Sequence, residues 1–131
     1  MEKCSCSDYS RVLLLPCAGA SNLGQLTNEV ALRLRETGKG AVSCTAGIGV
    51  GIAPLVAGAK QARYVVAIDG CAQTCAKKCA DAAGLKPSVH LVLVNELAIT
   101  KSYDRPKEED VRRSLALVER RLEEAMAASL S

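Results

Sequence analysis

Four short apolar segments recur along this chain of 131 residues, and a helix-forming stretch lies in each gap between them. Their continuous apolar character is typical of strands buried on both faces of a sheet. Strands that alternate with helical segments predict a parallel sheet with crossover helices. The four segments are marked by Val12, Val42, Val65 and Val89.

The order of the strands follows from the handedness of their connections. Crossovers between parallel strands are right-handed, and short doubly wound chains place the first strand between the second and the third. We therefore expect a single three-layer α/β domain of the Rossmann or flavodoxin-like type, with a four-stranded parallel sheet in the order 2-1-3-4 flanked by helices. The predicted strands are residues 12–15, 41–43, 64–68 and 89–94, and the predicted helices begin near Ser21, Pro54, Cys71 and Pro106.

A cysteine stands at or just beyond the end of each of the first three predicted strands: Cys17, Cys44 and Cys71. In a parallel sheet these ends lie along one edge, where ligands bind in open α/β folds. Cys75 follows four residues after Cys71, so both thiols share one face of a helix that begins near Cys71. Four thiolates suit a tetrahedral Zn²⁺ site with Zn–S distances of about 2.3 Å. The predicted metal ligands are Cys17, Cys44, Cys71 and Cys75.

The seven cysteines indicate metal binding or thiol chemistry rather than a disulfide framework. Residues 1–10 are polar and lack the apolar core of a signal peptide, so we expect a cytoplasmic protein with reduced thiols. Cysteine is also among the most buried residue types, and any single thiol is equally well explained as a packed apolar side chain. The repetition at successive strand ends favours a site.

Charge and hydropathy argue against two classes of partner. The net charge of +3 is modest and aromatic residues make up 2% of the chain, so a basic stripe with interleaved aromatic side chains for nucleic acid is missing. No stretch approaches the roughly 20 apolar residues of a membrane span. We expect a metal ion as the partner, no nucleic acid and no membrane, and we leave a homodimer open.

We expect residues 1–10 to form a flexible tail and residues 11–131 to form the single domain. The tail contains the pair Cys4 and Cys6. One interpretation is a mobile pair of soft ligands that takes up or hands on a metal ion. The other is a disordered terminus without a role in binding.

Several polar residues near the strand ends are candidates to support the thiols. Asp69 ends the third strand, and Ser21 is suited to cap the first helix. Glu96 follows the fourth strand, either as an additional ligand, as a partner of a neighbouring group or as a helix cap. Lys77 would offset part of the thiolate charge. His90 lies inside the fourth strand, and we expect it to pack or to face solvent rather than to bind metal.

Cys79 is expected to lie outside the ligand set. In a helix that begins near Cys71, Cys79 is about 12 Å further along the axis. Sulfur atoms that share one tetrahedral Zn²⁺ are about 3.8 Å apart, given Zn–S bonds of roughly 2.3 Å. We therefore expect Cys79 to be a buried apolar thiol that packs under the site.

Four motifs resemble, in the same order, those of the DGC-domain family of zinc-binding proteins. They are Cys-x-Gly-x-Ser-Asn-x-Gly-Gln-Leu at residues 17–26, Cys-x-Ala-Gly-Ile-Gly at residues 44–49, Asp-Gly-Cys with Cys-Ala-Lys-Lys at residues 69–78, and Glu-Leu-x-Ile-x-Lys at residues 96–101. The resemblance covers nearly the whole chain. It implies a zinc site at Cys17, Cys44, Cys71 and Cys75.

Two classes of function stay open from the sequence. The first is a module that senses, stores or delivers Zn²⁺ or another thiophilic ion. The second is a cysteine-based enzyme, a thiol oxidoreductase or a phosphocysteine carrier, that uses Cys17 or Cys71. The arginine of a Cys-x5-Arg phosphatase loop is missing after Cys17 and after Cys44, and the glycines of residues 45–51 match neither a dinucleotide fingerprint nor a P-loop.

Overall fold

Four parallel strands form the sheet around which the other elements are arranged. The structure is a computed structural model, and it describes residues 9–130. The strands are β1 (Val12–Pro16), β2 (Ala41–Val42), β3 (Tyr64–Asp69) and β4 (Val89–Val92). Their order is β2-β1-β3-β4, and every neighbouring pair is parallel. The predicted strand order is confirmed.

Helices cover both faces of this sheet. They are α1 (Asn22–Glu36), α2 (Thr45–Gly49), α3 (Ala53–Lys60), α4 (Cys75–Ala82), α5 (Leu93–Leu97) and α6 (Glu108–Ala128), and a short 3-10 helix, Tyr9–Arg11, precedes β1. α1 and α6 pack on one face, while α2, α3 and α4 contribute to the core on the other. The chain is therefore the three-layer α/β fold that the sequence predicts.

Each face of the sheet has its own aliphatic core, because successive strand residues point to opposite sides. The larger core packs Leu14 and Ile68 against α1 and α6. The smaller core packs Leu15 and Val65 against α2, α3 and α4, with Ile48 fully buried at its centre. With so few aromatic residues, the packing relies on Leu, Ile, Val and Ala.

The first helix begins and ends close to the predicted positions. The Ser21 hydroxyl caps α1 by accepting a hydrogen bond from the Gly24 N–H at 3.2 Å. Leu26 and Val30 lie on its buried face. Gly38, with a φ of 77°, follows the helix in the left-handed conformation that glycine adopts readily.

The start of α4 differs from the prediction. The helix begins at Cys75 and not near Cys71. Residues 71–74 form a turn instead, in which the Thr74 N–H donates to the Cys71 carbonyl oxygen at 3.2 Å. Thr74 has a φ of 52°, which interrupts a right-handed helix at that point. The expectation that Cys71 and Cys75 share one helical face is therefore wrong.

Three other boundaries also differ from the sequence-based expectation. β4 ends at Val92, and the rest of the predicted strand is the short helix α5, because a brief apolar run fits a buried strand or a buried helix equally well. The glycine-rich residues after Cys44 form α2 rather than an open loop. The last helix begins at Glu108, two residues after Pro106.

Two further expectations concern the N-terminal cysteine pair and membrane-spanning segments. The predicted ligand pair Cys4 and Cys6 lies outside the described residues. Within residues 9–130, no helix combines the length and the apolar character that crossing a bilayer requires.

Candidate functional site

Three of the four predicted ligands lie at the carboxyl edge of the sheet, at the ends of adjacent strands. Cys17 follows β1, and its N–H donates to the Ile68 carbonyl oxygen of β3 at 3.0 Å. Cys44 lies two residues beyond β2, and Cys71 two residues beyond β3. Because β1 lies between β2 and β3, the three thiols flank the point where the strand order reverses. Open α/β sheets bind their ligands in this crevice.

The Cys17 thiol is held by a buried threonine of α1. Its Sγ lies 3.6 Å from Thr27 Oγ1, and Thr27 is fully buried. The Thr27 hydroxyl donates to the Gly24 carbonyl oxygen at 2.7 Å and accepts from the Ala18 N–H at 3.0 Å. Since the single hydroxyl proton points to Gly24, Cys17 is the donor in its contact with Thr27. Loss of the thiol proton on metal coordination would break this contact.

Cys44 caps α2 with its sulfur. The Sγ atom accepts a hydrogen bond from the Gly47 N–H at 3.3 Å, and the residue is exposed. This hydrogen bond fixes the Cys44 sulfur at the start of α2. The next residue, Thr45, is buried, and its hydroxyl has no hydrogen-bond partner among the described residues.

Cys71 and Cys75 lie on the loop between β3 and α4 and at the first residue of α4. Cys71 is half-buried against the larger core, and it lines a cavity of about 380 Å³ together with Ala72, Gln73 and Lys101. Cys75 is exposed. Cys71 and Lys101 thus line the same cavity, whereas Cys75 is exposed to solvent.

Asp69 holds the end of this loop in place through hydrogen bonds to the start of α4. Its carboxylate is 1% exposed, and it accepts hydrogen bonds from the Ala76 N–H at 2.7 Å and from the Lys77 N–H at 3.1 Å. A third bond, 2.8 Å long, joins it to His90 Nε2. Asp69 therefore caps α4, and the N-cap residue Thr74 makes no side-chain cap.

The other predicted supporting groups are engaged outside the thiol cluster. Ser21 caps α1, as described above. The Lys77 ammonium pairs with Asp81 at 2.8 Å, one turn further along α4. The Glu96 carboxylate pairs with Arg121 of α6 at 3.0 Å.

Cys79 is half-buried at the contact between α2 and α4. Its Sγ lies 2.5 Å from the position that a Cβ on Gly49 would occupy, so the two helices approach closely only because residue 49 is glycine. Burial raises the pKa of the Cys79 thiol, and the neighbouring Cys75 and Asp69 add to the rise. Cys79 is thus half-buried and not the buried thiol that we expected. Because α4 begins at Cys75, one turn before Cys79, the distance along a helix from Cys71 no longer separates Cys79 from the predicted ligands.

We expect Cys79→Ala to retain bound zinc and Cys75→Ala to lose affinity. The raised pKa leaves Cys79 with a smaller thiolate fraction, and its sulfur already packs against α2. Titration of both variants with a competing chelator tests the difference. Cys79 should also be the slowest of the described cysteines to react with iodoacetamide. Equal loss of zinc in the two variants would place Cys79 among the ligands.

The donor chemistry of these thiols fits a thiophilic metal, but the predicted four-thiol shell is not preformed among residues 9–130. All five cysteines among residues 9–130 are free thiols. In the same part of the chain, no three His, Cys, Asp or Glu side chains lie close enough to hold one ion. The thiols of Cys44 and Cys75 are exposed, whereas those of Cys17, Cys71 and Cys79 are half-buried.

Sequence reasoning gave no supporting role to three residues near the thiols or near Asp69. Thr27 was not singled out, Lys101 appeared only within a motif, and His90 was expected to pack or to face solvent. Thr27 carries no local signal, because its role depends on how α1 packs against the loop after β1. Lys101 is the last residue of the fourth motif, and its place in that motif could have identified it as a candidate site residue. His90 could have been found from strand register: it pairs with Ala67, and on that face of the sheet Asp69 is the next residue of β3.

Comparisons with known proteins show the family of the chain. A family model described as the DGC domain matches residues 13–118. The chain is also 37% identical over 111 residues to the anaerobic and virulence modulator AnvM of Pseudomonas aeruginosa, and the match covers 84% of each protein. No solved structure matches the chain. With this family match over most of its length and a relative of this similarity, the chain belongs to the DGC-domain family.

Proposed function

We propose that this protein binds a thiophilic metal ion, Zn²⁺ in the first place, through the thiolates of Cys17, Cys44, Cys71 and Cys75, and that it senses, stores or delivers this ion. The observation that carries the proposal is the placement of three thiols at the ends of three adjacent strands, with a fourth at the start of α4. Thiolates are the ligands that zinc prefers in closed four-coordinate sites.

Differences in burial favour an exchangeable ion. Cys17 and Cys71 are half-buried, whereas Cys44 and Cys75 are exposed. Structural zinc sites are closed and hold their ligands rigidly as part of the fold. A site with two exposed ligands, and with a core that packs without the metal, suits loading and release. This favours sensing or delivery over a purely structural role.

Charge around the thiols supports the proposal. Four thiolates and one Zn²⁺ carry a net charge of about −2, by simple addition of the charges that this ligand set implies. Lys101 lines the same cavity as Cys71, so its ammonium would offset part of this charge. Opposite charge nearby favours the ionised form of a thiol. Lys101 therefore takes the compensating role that the sequence suggested for Lys77.

The relative AnvM is named an anaerobic and virulence modulator. For this chain we take from it one element, a regulatory role. A protein whose thiols bind metal when reduced could couple metal binding to redox conditions, since thiolates are both metal ligands and sites of oxidation. Sensing is thus the role that we favour among the three.

The alternative is a cysteine-based enzyme, and the cavity beside Cys71 is the observation that favours it. A lysine next to a thiol lowers the cost of forming the thiolate, which is the nucleophile. The phosphocysteine carrier on Cys17 is less well supported. Such a carrier needs backbone N–H donors around its sulfur, whereas the Cys17 sulfur contacts the Thr27 hydroxyl.

Elemental analysis of protein purified without oxygen tests the proposal. We expect about one zinc per chain and no inorganic sulfide, as a four-thiolate site requires. Of the seven cysteines, four should be protected from a thiol reagent until a chelator is added. Metal-free protein that binds no added zinc, and in which all seven thiols react at once, would contradict the metal site and favour the enzyme.

A further inference from the structure

His90 and Asp69 form a hydrogen-bonded pair below the thiol-bearing loop. His90 Nε2 lies 2.8 Å from Asp69 Oδ2, and the two side chains are 26% and 1% exposed. The pairing of β3 with β4 matches Ala67 to His90 and Asp69 to Val92. His90 is therefore the diagonal neighbour of Asp69 on the same face of the sheet. This register places the imidazole next to the carboxylate.

The other two hydrogen bonds of Asp69 go to the first turn of α4. The N–H groups at the start of a helix have no partner within that helix. Those of Ala76 and Lys77 are satisfied by the two oxygens of Asp69. Since Thr74 makes no side-chain cap, the position of this helix end depends on Asp69.

The loop that carries the thiols is consequently fixed at both ends. Residue 69 ends β3, and its side chain also binds the amides that directly follow Cys75. Between these points, residues 70–74 close a short turn. A displacement of the Asp69 carboxylate would move Cys75 directly and would release the turn that begins at Cys71.

We propose that His90 is a positioning residue, which acts through Asp69 to hold Cys71 and Cys75 at the carboxyl edge of the sheet. Its importance for metal binding rests on the proposed function, but its effect on the loop does not. Without the imidazole, a carboxylate oxygen that is nearly inaccessible to water loses a donor. The two amide hydrogen bonds from α4 are then the ones that remain on the carboxylate, so Asp69 and the start of α4 are held less firmly.

His90→Leu tests this role, because leucine fills the space of the ring without a donor. His90→Gln is the conservative variant, since its amide can donate to Asp69. Asp81→Asn is the matched control: it removes the exposed ion pair with Lys77 on the same helix and leaves Asp69 untouched. All three are compared with the wild type as metal-free, reduced full-length chains.

Two readouts report on the loop. For His90→Leu we expect hydrogen exchange at the Ala76 and Lys77 amides to be about tenfold faster, as for a weakened buried hydrogen bond. We also expect the alkylation rates of Cys71 and Cys75, measured by peptide mass spectrometry, to change at least about threefold, with Cys17 unchanged. His90→Gln and Asp81→Asn should match the wild type in both.

Unchanged amide exchange and unchanged alkylation in His90→Leu would overturn the proposal. A uniform change at all cysteines would also overturn it, because it would mean general destabilisation, and so would failure of His90→Gln to restore the wild-type rates. A zinc titration of His90→Leu then measures the consequence for metal, expected as a loss of about 10- to 100-fold in affinity. If the wild type itself binds no zinc, the proposed function fails while the loop measurements still decide the role of His90.

Discussion

Cys17→Ser, Cys44→Ser and Cys71→Ser are each expected to lower zinc affinity by on the order of 100-fold or more. Loss of a group that merely orients a ligand costs about 10- to 100-fold, and loss of the ligand itself should cost at least as much. An alcohol is a poor donor beside three thiolates, because it stays protonated at neutral pH. The substitution changes one atom, so the fold should be retained.

The measurement is competition with a chromogenic chelator, at one protein concentration and under reducing conditions. Cys79→Ala serves as the matched control, because it also removes a thiol from this region but not from the predicted ligand set. Circular dichroism checks that each variant is folded. If all three serine variants bound zinc with wild-type affinity, the metal site would have to lie elsewhere on the chain.

Gly24→Ala is expected to destabilise the fold by about 3 kcal/mol, the upper part of the usual range for an overpacked core. A Cβ at residue 24 would lie 2.4 Å from the carbonyl carbon and oxygen of Gly19. These are backbone atoms of the loop that follows Cys17, so no side-chain rotation can relieve the contact. The loop and α1 must move apart, and Cys17 would lose its contact with Thr27.

Gly70→Ala should have a similar effect for the same reason. Its Cβ would lie 2.6 Å from the backbone carbon and oxygen of Leu23. The two glycines thus allow the loops after β1 and β3 to rest on the first turn of α1. We expect both variants to bind zinc more weakly as well as to melt at lower temperature.

Thermal unfolding followed by circular dichroism provides the measurement, with an expected decrease in melting temperature of about 10 °C. Gly58→Ala is the matched control, since a Cβ at this position in α3 meets no atom within 4 Å. Alanine there should be neutral or stabilising by up to about 1 kcal/mol, because glycine lowers helix stability. Melting temperatures of Gly24→Ala and Gly70→Ala within 2 °C of the wild type would show that the described contacts are looser than the structure has them.

The sequence by itself determined the fold and the edge on which the thiols lie. Continuous apolar runs around Val12 and Val65 favour strands that are buried in the sheet. The right-handed crossover rule, together with the flavodoxin-like arrangement of short doubly wound chains, then predicts the order 2-1-3-4. Once the sheet is parallel, the positions of Cys17, Cys44 and Cys71 at strand ends follow from counting residues. Such patterns act over a few residues, so they are visible without a structure.

Tertiary structure alone decided how the thiols are held. Helix-forming residues predicted a helix over residues 74–83, but its assumed extension back to Cys71 was wrong. Gly70 packs against Leu23 and Asp69 caps Ala76, so α4 begins at Cys75. The contact of Cys79 depends on the approach of α2 to α4, and the partner of His90 follows only from the register between β3 and β4. Contacts between residues distant in the chain set these positions, and local composition does not encode them.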